Sequence, residues 1–139
     1  MRHSTKPLSP LAQRIQERSE GRRHSRFPTA DINKLTSNDD ERNRLHGSLE
    51  MYLSGIAGYA SGADRLSRRS QSELEAARLF LSRPFFEKHQ EYAHYRSKVT
   101  EHETPDLFWE LQIAELNRND LLQEVERLLK PMGEVETTP

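Results

Sequence analysis

The sequence predicts an all-α fold: a small helical bundle of about four helices carrying a basic, partly extended N-terminal arm. Three observations lead there. Apolar residues recur at spacings of three and four over most of residues 38–131. No stretch alternates apolar and polar over strand length with β-branched residues. Residues 1–30 carry Arg2, Lys6, Arg14, Arg18, Arg22, Arg23 and Arg26 against Glu17 and Glu20 alone, about +5 in a chain of formal charge −1, so the remainder is acidic.

Composition sets the bounds. At 139 residues the chain is one domain's worth. Its hydrophobic fraction of 33% lies below the roughly 45–50% of an ordinary globular domain, so part of it adds little to a core. With no cysteine, disulfides, thiolate metal sites and cysteine nucleophiles are excluded, and a reducing compartment fits. Met1–Pro10 lacks the apolar run of a secretory leader. The most membrane-like run, "LEMYLSGIAGYASGA", falls short of the roughly 20 apolar residues that a span needs. A soluble, cytoplasmic protein without a membrane partner is the expectation.

Taken in order, residues 1–37 read as the arm, punctuated by Pro7, Pro10 and Pro28. Within it, residues 10–20 suit a short helix, with Ser9 as N-cap, Pro10 in the first turn and Gly21 as the stop. Such a helix is marginal alone in water and needs a surface to lie on. The body, residues 38–131, starts at "SNDDER", where Asn38 or Asp39 can cap and acids face the positive end of the helix dipole. Leu45, Leu49, Tyr52, Leu53, Ile56, Ala60 and Ala63 make its apolar face. Met51, Gly55, Gly58 and Gly62 share a second stripe, which predicts close approach of another helix.

Ser70 with Glu73, or Ser72 with Glu75, has capping-box spacing for a second body helix that Pro84 ends. A third is expected from Pro84 to about His102, burying Phe85, Phe86, Tyr92, Ala93 and Val99. Thr104-Pro105-Asp106 opens the last, Pro131 and Gly133 close it, and residues 132–139 form a tail.

This last helix has two apolar sides. Leu107, Leu111, Ala114, Arg118, Leu121, Val125 and Leu128 form a heptad seam with one polar member, expected to pair with a carboxylate of a facing helix or another chain. Trp109, Ile113 and Leu116 lie off that seam and need the arm, another wall of the bundle, or a second chain to cover them. Asn117-Arg118-Asn119-Asp120 competes with helical hydrogen bonding; a continuous helix is preferred over a break there.

Catalytic chemistry finds little support. Glu91-x-x-His94, with Glu87 a turn earlier, has the spacing of di-iron bundles, but no second copy occurs and a solvated face explains the three. His89, on the apolar side, reads as a packed histidine. "SGIAGYASGADR" lacks the Gly-Lys-Ser/Thr ending of a phosphate loop, and there is no Gly-x-Ser-x-Gly. The expectation is therefore no enzyme, no cofactor, no metal and no small-molecule substrate.

What remains is a non-enzymatic interaction protein, an adaptor, regulator or inhibitor. It is expected to bind another protein, or a second copy of itself as a homodimer, through Trp109, Ile113, Leu116 and Arg118, with Arg14, Arg18, Arg22, Arg23, Arg26 and Phe27 as arm contacts. The alternative is a nucleic-acid-binding regulator that grips phosphates with the same arginines.

Overall fold

A computed structural model describes residues 8–20 and 27–137, with side chains described as far as Met132. These residues form α1 (Pro10–Glu20), α2 (Thr29–Leu35), α3 (Asp39–Ser61), a 3-10 helix Ala63–Arg68, α4 (Gln71–Leu81), α5 (Phe85–Lys88), a second 3-10 helix Gln90–Lys98 and α6 (Pro105–Thr137). No strand occurs among the described residues. The all-α class stands, but with eight helical segments in place of about four.

Three of the differences have causes in packing. The expected Pro84–His102 helix leaves α geometry at His89 (φ −120°, ψ 76°) and continues as a 3-10 helix. Its three-residue turn brings Tyr92 and Tyr95 into register on the core side, where both are buried. The described part of the arm is helical: α1 lies on α6 and α3, and α2 on α3 and α6. Leu11, Ile15 and Ile32 anchor these two helices in the core, which answers the need of a short helix for a surface. Finally, α6 runs through Pro131 to Thr137. Leu128, Leu129 and Met132 pack against the core on both sides of the proline and hold the helix across the missing hydrogen bond.

Other starts match the sequence. The Asn38 side chain accepts the Glu41 N–H at the head of α3, and Ser70 with Glu73 makes a complete capping box at α4. The glycine stripe is closely approached at Gly55 alone. A Cβ on Gly55 would lie 2.4 Å from Phe80 Cζ, whereas one on Gly58 meets nothing within 4 Å. The close approach is that of an α4 ring, not a helix backbone.

The core gathers around the α6 seam, where Leu107, Leu111, Ala114, Leu121 and Val125 are buried. Two polar arrangements tie other elements to it. Asp31 of α2, itself buried, accepts the Leu107 N–H at 3.0 Å and caps α6 from a distant part of the chain. The Thr104 hydroxyl is engaged instead with the Thr100 backbone. At mid-helix, Glu115 Oε2 accepts the Tyr52 hydroxyl at 2.7 Å and the Phe85 N–H at 3.0 Å, so a carboxylate from α6 serves the N-terminus of α5, where Pro84 offers no side-chain cap. Arg118 pairs with Glu115 Oε1 at 2.6 Å and donates to the Leu81 carbonyl at 2.7 Å. Its carboxylate partner therefore lies on its own helix, not on a facing helix or another chain.

Lys88 donates to the Phe80 carbonyl at 2.6 Å and sits 3.9 Å over the Phe80 ring. With Arg118 it closes the C-terminal end of α4 with positive charge. Burial, and then repulsion from Arg118 and Arg83, holds the Lys88 ammonium below the usual lysine range.

Candidate functional site

The second face of α6 is covered in part by α1. The sequence places Arg14 and Arg18 on one flank of α1 and Ala12, Gln16 and Ser19 on another, with Leu8 just ahead of the helix beside the second, and the two flanks meet α6 differently. Arg18 donates to Asp120 Oδ2 at 2.6 Å and to Asn117 Oδ1 at 2.8 Å, and Arg14 reaches Asp120 Oδ2 at 3.4 Å. Bonding to α1 rather than to their own backbone keeps Asn117 and Asp120 compatible with a continuous α6.

The other flank leaves a groove of about 470 Å³ between α1, α3 and α6. Leu8, Ala12, Ile15, Leu53, Ala57 and Ile113 are among the apolar side chains lining it, and its charged lining residues are Glu110 and Asp64. The Ser9 hydroxyl accepts the Ala12 N–H, and the Ser9 N–H donates to Asp64 Oδ1 at 3.1 Å, which pins the start of α1 to one end of the groove. These hydrogen bonds from Ser9, and next to them the Arg65 charge, hold the Asp64 carboxyl below the usual carboxylate range. Glu110 has no hydrogen-bond or ion-pair partner among the described residues.

Of the off-seam trio, Ile113 lines the groove and is half-buried. Leu116, one turn on, is 43% exposed. Trp109 is half-buried with its ring edge-on to Phe108 at 5.2 Å, and none of the three joins the core cluster. Leu8, 45% exposed, adds a fourth apolar group from the groove's opposite wall. Arg118, grouped with the trio from sequence, belongs to the Glu115 network on the seam side, only 13% exposed along its side chain.

The arm residues also separate. Arg14 and Arg18 bind the chain's own α6. Phe27 is half-buried against the His46 ring at 4.5 Å. Arg22, Arg23 and Arg26 lie outside the described residues. Sequence reasoning passed over Asp31, Glu110, Glu115 and Asp120 as sites of contact. Asp120 had a signal, because an acid in an otherwise helix-competing tetrad points to a partner from outside the helix; Asp31 had none, because its acceptor role depends on where α6 begins in space.

Glu87, Glu91 and His94 are all exposed, and His94 packs its ring on Tyr95 at 4.0 Å. Among the described residues no group of three or more His, Asp or Glu is placed to hold a metal ion. His89 is half-buried between the Phe85 and Tyr92 rings, as its position on the apolar side predicted. No described helix is long and apolar enough to cross a membrane. Compared with protein-family models, curated proteins and solved structures, the chain matches none.

Proposed function

We propose that this chain is a non-enzymatic interaction protein, an adaptor, regulator or inhibitor working in the cytoplasm, which engages another protein through the outward side of α6. The observation that carries the reading is the run Trp109, Ile113 and Leu116, which stays outside the core cluster although α1 is seated beside it. Leu8 extends it across the groove. Clustered apolar groups that the core leaves partly uncovered, a half-buried tryptophan beside an exposed leucine, are what a protein-binding patch presents.

Light scattering on the intact chain and on Trp109→Ala tests the self-association form of this reading: a dimer that the substitution dissolves makes the partner a second copy. For a partner other than itself, a photoreactive residue placed at Leu116 gives a discrete cross-linked product in cells, and the same residue at Met51 or Leu79, exposed apolar positions elsewhere, does not. A monomer with equal labelling from all three positions refutes the reading. The nucleic-acid alternative is weakened by Arg14 and Arg18, whose charges face Asp120; it requires a salt-sensitive shift of a labelled duplex at low ionic strength.

A further inference from the structure

We propose that the groove between α1, α3 and α6 receives a basic amphipathic helix from a partner protein. Its apolar side would lie on Leu8, Ala12, Ala57 and Ile113, and its Lys or Arg side chains would face Glu110 and Asp64. The inference rests on the protein-interaction reading above and gives that partner its chemistry.

Charge complementarity is the first support. Both charged side chains lining the groove are carboxylates. Asp64 is held in its ionised form by Ser9, and Glu110 lacks a partner among the described residues. The described arginines of α1 are turned away onto Asp120, and the Arg65 charge that helps hold Asp64 ionised leaves Glu110 uncompensated. An acidic or uncharged helix docked here would leave Glu110 half-buried without compensation, which disfavours it.

The shape supports the same occupant. Three helices wall the groove, and its lining runs along two of them, from Leu53 to Ala60 on α3 and from Glu110 to Asn117 on α6, with Ile113 and Ala114 as the apolar members of the second. Anchors recurring at three and four residues along a helix match such a surface. A second copy of this chain is a poorer occupant: Arg14 and Arg18, the described basic side chains of its amphipathic α1, are already paired within the protomer.

A fluorescent synthetic helix of Leu and Lys, with Leu at i, i+3, i+4 and i+7, is the probe, and its Leu/Glu counterpart is the control. Anisotropy at low salt measures binding to the intact chain, to Ala57→Trp, which fills the groove from an exposed position, and to Glu110→Lys. Circular dichroism confirms that each variant is folded. The Leu/Lys helix should bind the intact chain, and each substitution should weaken it by about tenfold or more. The Leu/Glu helix should bind at least about tenfold more weakly than its basic counterpart.

Equal binding by Glu110→Lys, equal binding by a folded Ala57→Trp, or equal affinity for both helices overturns the proposal. So does failure of the intact chain to bind the basic helix. If the Leu116 cross-link persists after such a failure, the interaction reading stands and only the partner's chemistry is wrong. If light scattering instead shows a dimer that Ala57→Trp dissolves, the occupant is a second copy.

Discussion

The Tyr52 hydroxyl donates to Glu115 at 2.7 Å, whereas the Tyr95 hydroxyl is buried with no hydrogen-bond partner among the described residues. The same substitution should therefore act differently at the two positions. Tyr52→Phe removes a bond to a carboxylate and should cost about 1–2 kcal/mol in urea unfolding. Tyr95→Phe removes an unsatisfied buried group and should be neutral or stabilising by up to about 1 kcal/mol. Both phenols are pushed above their ordinary range, Tyr52 by burial and then Glu115, Tyr95 by burial and then the nearby Glu41 carboxylate, up to about 12. A raised folded-state value means that the folded chain holds its proton where the unfolded chain releases it. Stability is then fully present below about pH 10, the unfolded value, and declines from there through about 12. Melting temperatures across that alkaline range should fall less steeply in Tyr95→Phe. At Asp31, Asp31→Ala leaves the Leu107 N–H and the start of α6 uncapped inside the protein and should cost about 1–3 kcal/mol.

Among the elements, α3 offers two glycines on one stripe with different surroundings. Gly58→Ala adds a methyl in open space and should stabilise by up to about 1 kcal/mol through helix propensity and a less flexible unfolded chain. Gly55→Ala drives a methyl onto Phe80, whose ring is held between Tyr59, Tyr52 and Lys88. It should destabilise by about 1–2 kcal/mol. Thermal melts of the two variants side by side check this, and equal shifts would show that the α4 ring moves aside freely. The stripe itself was legible in the sequence. What filled it was not, because helical periodicity tells which residues share a face but not which neighbour reaches that face.

For the whole molecule, the N-terminal helix belongs to the body, since α1 buries Leu11 and Ile15 and pairs Arg18 with Asp120. Deleting residues 1–20 should remove about 4 kcal/mol of stability at roughly 2 kcal/mol per buried aliphatic side chain, read from the urea midpoint. A double-mutant cycle on Arg18→Ala and Asp120→Ala should return a coupling of about 1–2 kcal/mol, because the pair is largely shielded and Arg18 is also bonded to Asn117. Additive effects would mean that α1 is held by its apolar side alone.

By itself the sequence determined the class, most helix starts and the α6 seam, because caps and apolar spacing are local properties read over a few residues. It also exposed the second face of α6, by showing Trp109, Ile113 and Leu116 where the seam was not. Tertiary structure decided what meets that face. It seated α1 on Asn117 and Asp120, turned Arg118 inward to the Leu81 carbonyl, broke the Pro84–His102 helix at His89, and capped α6 with Asp31. The reason is physical: each of these is a pairing across 30 or more residues or a competition between local helix geometry and core packing. Such contacts are settled by which surfaces come together when the chain closes, and no short window of residues contains both partners.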